Sequence, residues 1–487
     1  MTVHVVGRIH GHDGADALRV EKGAVAEIGL ASNMTGRRVD HAGGIVLPGL
    51  RDGHIHPIGL AAADNQVDLS DVTTIEQALE RIRERAAQST GPVVAVAFDD
   101  ERLAEHRMPT ALELDSAVDD RPVLVYRHCS HRAAANSAAL RTAGLGRESP
   151  NPTGGRIGRN LDGSLNGALE ETAIALVSTP LSAESTGPTP AALRNVLHRL
   201  AGRGVVSVDA MVSFGASMWC AGPDELGTIL AVADDPIIDI SVFVICDSVA
   251  ELRDAARRLD SAGPGVRFAG WKGFADGSLG ARTAALRAPY ADDPATSGLM
   301  VGSNLAEMSE AAVDLGGVAA IHAIGDRAVQ AGLDIAASLG PNTVRIEHAS
   351  VIDPDQVAHM ATAQVLASVQ PSFATSDGEW IERRLGSQRA AWAYPFASMQ
   401  RAGVTMRGGS DAPIESSDPF VGIQDACLPR AEALDRESAI DLYVAAPLEV
   451  GVPATFLICD ADPLRVPVDE ISQITVRQMW IAGERVK

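Results

Sequence analysis

A regular alternation of short apolar segments with helical patterns is the feature that most constrains how this chain folds. Helical patterns such as 189–203, 248–260 and 326–339 fall between apolar segments of strand length. This alternation is typical of βαβ units around a parallel sheet. The apolar segments are 205–211, 237–246, 266–275, 317–323, 344–349, 365–370 and 404–410, with an eighth that ends at His56. Eight strand–helix units over roughly 270 residues predict an α/β fold, a (β/α)8 TIM-type barrel.

The two ends of the chain carry short strand patterns of a different kind. Apolar residues cluster at 3–6 and 24–28 near the start, and at 454–460 near the end. Each end alone is too short to bury a core of its own. We therefore predict a composite β-sandwich domain from residues 1–46 and 448–487, which brackets a barrel domain of residues 47–447.

The segment 65–185 breaks the rhythm of the barrel. It contains a helical pattern at 73–87 and apolar strand patterns at 92–98 and 122–126. We predict that it is an α+β insertion after the first barrel strand. Insertions at that point lie over the carboxyl ends of the strands and shape the substrate pocket.

Composition limits the classes of partner. The 487 residues carry a formal net charge of −22, which repels the phosphate backbone of DNA and RNA. No apolar stretch approaches the 18 or so residues that a membrane span requires. We expect a small-molecule substrate, no nucleic-acid partner, no membrane contact, and a homodimer as the assembly.

Cysteine usage points to a reducing compartment. The five cysteines are widely spaced and include no Cys-x-x-Cys pair. The first residues lack the basic segment and long apolar core of a signal peptide. We therefore expect a cytoplasmic location.

Two histidines, His54 and His56, stand at the end of the first predicted barrel strand. Residues two apart in a strand point to the same face, so both imidazoles can reach one metal ion. The spacing alone carries little weight, because His10 and His12 repeat it in a polar stretch that we expect to be a solvated hairpin tip.

Four later strands also end in residues suited to chemistry. These residues are Lys272, His322, His348 and Asp411. Taken singly, each has an ordinary structural explanation, such as a hydrogen-bonded core histidine or a helix cap. Catalytic groups collect at the carboxyl ends of barrel strands, and four coincidences together with the histidine pair favour an active site.

Five motifs extend this pattern along nearly the whole chain. They are LPGLRDGHIH (47–56), KGFADGSLGAR (272–282), HAIGDRA (322–328), RIEH (345–348) and GSDAP (409–413). On these motifs the chain resembles the amidohydrolase superfamily, and within it the family 3 branch of metal-dependent hydrolases of the formamide deformylase kind.

The resemblance implies a metal centre and a mechanism. It implies that His54 and His56 bind a first metal, that His322 and His348 bind a second, and that Lys272 bridges them as a carboxylated lysine. The expected metal is Zn²⁺, two per chain, with other divalent ions as alternatives. Asp411 would be both a metal ligand and the proton shuttle for a metal-activated hydroxide that cleaves a C–N amide-type bond.

The substrate remains open at this stage. Linear N-acyl or N-formyl compounds and cyclic amides all fit this chemistry, as does a lactone or ester; a non-catalytic metal-binding scaffold is a third alternative. Asp276 and Arg282 in the loop after Lys272, together with His131 in the insertion, are candidate substrate-binding residues. For Asp276 and Arg282 the alternative is a salt bridge within the loop.

Overall fold

The amino-terminal strands form part of a sheet that the carboxyl terminus completes. The computed structural model describes residues 3–35, 37–63, 65–183, 187–215, 222–235, 237–428 and 430–486. The first strands are β1 (Val3–Ile9), β2 (Ala17–Glu21), β3 (Ala24–Gly29) and β4 (Arg37–Pro48). Strand β1 pairs antiparallel with β2 and parallel with β4.

A single residue, Gly49, separates β4 from the first barrel strand, β5 (Leu50–Ile55). The insertion follows it and folds around a six-stranded sheet of its own. Its strands are β6 (Val67–Asp68), β7 (Val93–Phe98), β8 (Val123–Arg127), β9 (Arg132–Ala135), β10 (Gly155–Arg159) and β11 (Leu165–Glu171). The β10–β11 hairpin lies in a stretch where frequent Gly and Asn conceal the strand periodicity, so the sequence did not reveal it.

Eight parallel strands form the barrel, in the spatial order in which they follow along the chain. After β5 they are β12 (Val205–Ser213), β13 (Asp239–Ile245), β14 (Val266–Phe274), β15 (Val318–Ala323), β16 (Val344–His348), β17 (Leu366–Val369) and β18 (Met406–Gly408). Each of the eight predicted segments overlaps one of these strands, which confirms the predicted fold class.

The seam between β5 and β18 closes at the carboxyl ends of the strands. The Asp411 amide donates to the His54 carbonyl at 2.7 Å, and the His56 amide donates to the Ala412 carbonyl at 2.9 Å. Glycine makes this approach feasible, because a Cβ on Gly53 would lie 2.7 Å from the Gly408 carbonyl oxygen. Both histidines and Asp411 are thereby fixed at one point of the rim.

The last strands are β19 (Phe456–Cys459), β20 (Val476–Ile481) and β21 (Glu484–Arg485). Strand β19 pairs antiparallel with β4, so both chain ends share one seven-stranded sheet. Val5, Leu18, Val46, Phe456 and Trp480 are buried together in its core. The joint contribution of both termini is as predicted, whereas the exact boundaries at 46 and 448 stay a prediction.

Helices cover the outside of the barrel and pack in the insertion. They are α1 (Pro57–Ala63), α2 (Ile75–Gln88), α3 (Ala111–Ala117), α4 (Ser137–Thr142), α5 (Ala173–Ala183), α6 (Pro190–Gly202), α7 (Glu225–Leu230), α8 (Val249–Asp260), α9 (Leu305–Asp314), α10 (Asp326–Leu339), α11 (Pro354–Thr362), α12 (Pro371–Ser376), α13 (Ile381–Leu385), α14 (Ser387–Ala390), α15 (Phe396–Ala402), α16 (Pro419–Cys427) and α17 (Arg436–Asp441). In the part of the chain that the structure describes, no helix is long and apolar enough to cross a membrane.

Helix α8 illustrates how the local sequence specifies a helix that packs against the barrel. The Ser248 hydroxyl accepts a hydrogen bond from the Glu251 amide and caps the helix. Leu252, Ala255 and Leu259 recur at helical spacing and bury one stripe against the barrel. The strands beneath are buried on both faces, which explains their nearly continuous apolar runs.

Candidate metal centre

The predicted ligands all lie at the carboxyl ends of the barrel strands. Their rings are close together: the centroids are 5.0 Å apart for His54 and His348, and 4.5 Å apart for His322 and His348. His56 is the most exposed of the set, and even its side chain is only 23% exposed. The six residues at this rim are His54, His56, Lys272, His322, His348 and Asp411.

Asp411 lies among the imidazoles rather than at their edge. Its Oδ1 atom is 3.3 Å from His54 Nε2 and 3.2 Å from His56 Nε2. Within the described ranges, ligand atoms of His54, His348 and Asp411 all fall within 4.8 Å of one another. Three ligand atoms this close, all buried, form a set that one divalent ion can bind.

Hydrogen bonds to the distal ring nitrogens orient two of the histidines. His54 Nδ1 lies 2.5 Å from Glu347 Oε2, and His348 Nδ1 lies 2.8 Å from Gln370 Oε1. Both contacts assign the proton to Nδ1 and leave Nε2 as the lone-pair nitrogen.

The Nε2 atom of His54 tests whether the residues fit a metal. It is buried and, among the described residues, has no partner with hydrogen-bond geometry. Buried polar atoms are normally satisfied, so an unpaired imidazole nitrogen beside a carboxylate fits a metal ligand. A donor set of imidazole and carboxylate binds Zn²⁺ and other divalent transition metals.

Three of the four histidines at the rim are held as neutral imidazoles, the form that binds metals. Burial lowers the pKa of His348 to about 3 and the pKa of His322 well below its usual value. Burial also lowers the pKa of His56, although Asp411 opposes the shift. For His54, burial and Lys272 lower the pKa, but Glu347 and Asp411 outweigh them and raise it.

Lys272 and Asp411, the other two ionisable groups at the rim, differ in how their pKa values depend on their surroundings. Burial lowers the pKa of Lys272 to about 8, against the opposing charges of Glu347 and Asp411. A neutral amine, the form that reacts with CO2, is therefore accessible near neutral pH. Burial would raise the pKa of Asp411, but His54 and His56 hold it well below its usual range, so this group is a carboxylate.

His322 is held differently from the other histidines. Its Nε2 donates to the Gly277 carbonyl oxygen at 3.0 Å, so Nδ1 is the nitrogen left for a metal. Its ring also packs against His131, at 4.9 Å between centroids. His131 in turn is oriented by Glu171, whose Oε2 lies 2.8 Å from His131 Nδ1.

Two cavities open onto the centre. One, of about 830 Å³, is lined by His56, Lys272 and His131 among others. The other, of about 480 Å³, shares His131, His322, His348 and Asp411 and extends to Arg127 and Trp380. The predicted substrate residue His131 thus lies in the walls of both.

The other two predicted substrate residues are placed away from these walls. The buried Asp276 carboxylate accepts hydrogen bonds from the amides of Ala285, Ile324 and Gly325 at 2.8 to 3.0 Å. Arg282 donates to Asp292, with Nη2 2.9 Å from Oδ2. In the described chain neither lines either of the two cavities. The Arg282–Asp292 contact is a salt bridge within the loop, as the alternative describes, whereas Asp276 bonds backbone amides instead.

Several residues that support the site were not singled out from the sequence. Glu347 and Gln370 orient histidines, and Asp52 accepts hydrogen bonds from the His54 amide at 3.1 Å and the Ser410 hydroxyl at 2.5 Å. Asp52 and Glu347 stand within the motifs, two residues before His54 and one residue before His348. Gln370 follows β17 directly, so the same strand-end signal was present there.

The second His-x-His pair has a structural role. His10 and His12 do lie in the turn between β1 and β2, but His10 is buried, with Nε2 3.1 Å from Asp441 Oδ1. His12 Nε2 lies 2.6 Å from the Leu448 carbonyl oxygen. The expectation that His10 is solvated was wrong, because this turn packs against the segment that follows the barrel.

Comparisons with known proteins agree with this geometry. A sequence model described as the amidohydrolase family matches residues 37–487. The chain is 28% identical to the putative amidohydrolase YtcJ of Bacillus subtilis, over 97% of this chain and 96% of that protein. It is 26% identical to the N-substituted formamide deformylase of Arthrobacter pascens, over 96% of this chain and 94% of that protein.

One solved structure is similar to this protein over nearly the whole chain. The crystal structure of an uncharacterized metal-dependent hydrolase from Pyrococcus horikoshii matches with a TM-score of 0.73 and 28% identity, over 96% of this chain and 99% of that one. The similarity includes the barrel, the insertion and the terminal sheet.

Proposed function

Because the chain belongs to the amidohydrolase family, we propose that it hydrolyses the C–N bond of a linear N-acyl, N-formyl or cyclic amide at the centre described above. The observation that carries this proposal is the convergence of His54, His348 and Asp411 within 4.8 Å. Amide hydrolysis is assisted by a group beside the ligands that can move a proton, and the Asp411 carboxylate would serve in this role.

We infer that the six rim residues would hold two Zn²⁺ ions, with Asp411 close to one histidine of each pair. His54 and His56 would hold one ion, and His322 and His348 the other. Lys272, once carboxylated, would supply anionic oxygens to both, and Asp411 would complete the set. A divalent metal in this position lowers the pKa of a water molecule and polarises a carbonyl group.

Asp411 is the residue that we assign to proton transfer. Its carboxylate accepts a proton from the attacking water and then delivers it to the leaving nitrogen as the C–N bond breaks. The backbone fixes the position of this carboxylate, because its φ of 57° is unusual for a residue other than glycine and its amide is bonded to the His54 carbonyl. Water adds to the carbonyl carbon, and the products are a carboxylic acid and an amine.

A substrate panel tests this assignment. Metal-replete protein is incubated with N-formyl, N-acetyl and cyclic amides and, in parallel, with matched esters and lactones. We expect release of amine from at least one amide, and none from the same compounds with Asp411→Asn. Turnover of esters or lactones alone would replace amide cleavage with the lactone/ester alternative, and turnover of nothing would contradict a catalytic role.

A further inference from the structure

Four arginines lie at the end of the barrel opposite the metal centre. Each is the second residue of its strand, in β5, β14, β16 and β18 respectively. Because the barrel strands run parallel, their amino ends meet at one rim, away from the metal ligands at the carboxyl ends. We call this group the barrel floor; it consists of Arg51, Arg267, Arg345 and Arg407.

The side chains of the barrel floor face the barrel interior. Arg51 and Arg345 both bind the carboxylate of Asp209, which is fully buried on β12. Arg407 aligns with Ser368 of the neighbouring strand, and residues aligned in a parallel pair project to the same face. The Ser368 hydroxyl accepts a hydrogen bond from Arg345 Nη2 at 3.2 Å, so this shared face is the interior.

Two carboxylates neutralise two of the four arginines. Asp209 Oδ1 accepts a hydrogen bond from Arg51, and Asp209 Oδ2 lies 2.5 Å from Arg345 Nη1. Glu347 Oε1 in turn lies 2.5 Å from Arg345 Nε. Together these four side chains form a buried network in which the charges balance.

Arg267 and Arg407 carry the charge that remains. Arg267 is exposed and Arg407 is partly buried, and within the described ranges neither forms a hydrogen bond or an ion pair. Burial lowers the pKa of Arg407, and the other three arginines of the floor lower it as well, although Asp209 opposes them. Asp239, at the start of β13, is exposed and, in the part of the chain that the structure describes, pairs with none of the four. The floor therefore has an excess of positive charge.

Unsatisfied hydrogen-bond donors accompany this charge. Ser241 is only 1% exposed, and among the described residues neither its Oγ nor the buried Nε of Arg51 has a hydrogen-bond partner. Ser241 aligns with Asp209 on one side and with Arg267 on the other, so its hydroxyl faces the floor. Buried polar atoms normally have partners, so these donors beside an unpaired arginine mark a place where an acceptor can bind.

We propose that the barrel floor is a binding site for a small tetrahedral oxyanion of the phosphate or sulfate type. Such an ion carries several oxygens on a compact centre, which suits donors that converge from different strands. The interior of an eight-stranded barrel is filled by side chains, which favours a compact ion over a macromolecule. The ion accepts hydrogen bonds from Arg51, Ser241 and Arg407 and offsets the excess charge. The site takes no part in hydrolysis, so it goes beyond the proposed function.

Titration of metal-replete protein with sulfate at constant ionic strength tests the site. We expect calorimetry to show saturable one-to-one binding to the wild type. Binding to Arg407→Met should be roughly 10- to 100-fold weaker, the usual effect of losing a hydrogen bond to a charged group. Arg253→Met on the exposed face of α8 is the matched control and should bind like the wild type. Equal affinity in the wild type and Arg407→Met would overturn the proposal, because the ion would then bind elsewhere, for example at the metals.

Thermal unfolding gives a second, independent signature. Without sulfate, Arg407→Met should unfold at the wild-type temperature or above it, because the substitution removes an unpaired charge that like charges repel. With sulfate at about ten times its Kd, the wild-type midpoint should rise by roughly 1 to 3 °C and that of Arg407→Met should not. A lower midpoint for Arg407→Met without sulfate would show that the protein itself satisfies this charge, and would overturn the proposal.

Ser241→Ala is a variant that keeps all four arginines. Loss of an unpaired buried hydroxyl should leave the midpoint without sulfate unchanged and weaken sulfate binding roughly 3- to 10-fold. Inorganic phosphate and glycerol 3-phosphate, each compared between the wild type and Arg407→Met, distinguish a free ion from a phosphate ester. Binding of both identifies a terminal phosphate group as the ligand, and binding of inorganic phosphate alone identifies the free ion. Wild-type sulfate affinity in both Ser241→Ala and Arg407→Met, or no saturable binding of any of these anions, would overturn the proposal.

Discussion

Replacing Asp411 with Asn is expected to lower kcat for the best amide substrate by roughly 10²- to 10⁴-fold, the usual contribution of a general acid–base group. The asparagine keeps a carbonyl oxygen beside His54 and His56 but cannot accept and return a proton. A 10³-fold loss corresponds to about 4 kcal/mol of transition-state stabilisation. KM should change little, because Asp411 acts on the transferred proton and not on substrate binding.

Two controls separate this effect from loss of metal or of fold. Asp260→Asn makes the same chemical change at the exposed end of α8 and should leave kcat at the wild-type value. Metal content of the Asp411→Asn protein, measured alongside, shows whether the centre is intact. Wild-type kcat in Asp411→Asn protein with full metal content would exclude Asp411 as the proton shuttle.

Replacing Glu347 with Gln is expected to weaken metal affinity by roughly 10- to 100-fold, as is usual for residues that orient a metal-binding histidine. Oε2 of Glu347 accepts from His54 Nδ1 at 2.5 Å, and Oε1 lies 2.5 Å from Arg345 Nε. A glutamine has only one acceptor oxygen, so its NH2 group must face one of these two donors.

Both orientations of that amide are unfavourable. If the NH2 group faces His54, the ring takes the other tautomer and places its proton on Nε2, where the metal should bind. If it faces Arg345, a buried guanidinium loses part of its pairing, although Asp209 Oδ2 remains 2.5 Å from its Nη1. Binding of Zn²⁺ is measured by competition with a chelator of known affinity.

Excess metal distinguishes a positioning role from a catalytic one. Because Glu347 acts through His54, saturating Zn²⁺ should restore most of the activity of Glu347→Gln, which it cannot do for Asp411→Asn. Glu310→Gln on the exposed face of α9 is the matched control. Unchanged metal affinity in Glu347→Gln would show that the hydrogen bond to His54 does not orient the ligand.

The sequence predicted the barrel well for a physical reason. Strands that are buried on both faces, such as β12 and β13, must be apolar throughout, and this pattern is visible without any knowledge of partners. The β10–β11 hairpin was missed because its strands are only half buried and rich in glycine. The burial of His10 was missed because its partner, Asp441, is distant in the chain.

The site likewise combines features visible in the local sequence with contacts that only the fold creates. A polar residue that ends an apolar strand, such as His322 or His348, is visible locally and lies at the rim because the barrel places it there. The contact between His54 and Glu347 joins residues 293 positions apart, and only the fold reveals it. Loop residues such as Asp276 carried no comparable signal, since loop geometry decides whether a side chain faces the cavity or the backbone.

Some predictions concern species that the fold does not determine. Zn²⁺ as the metal, two ions per chain, carboxylation of Lys272, the homodimer and the cytoplasmic location all stay predictions. They depend on what the chain binds, on its modification or on its cellular context, and not on the positions of its own atoms.

The most direct measurement is the metal content of protein purified without chelator. We expect at least one tightly bound divalent transition metal per chain in the wild type, and a lower content in His54→Ala and in His348→Ala. His198→Ala on the exposed side of α6 should match the wild type. Less than one metal per chain in the wild type, or a content that His54→Ala and His348→Ala leave unchanged, would contradict a metal centre at this rim.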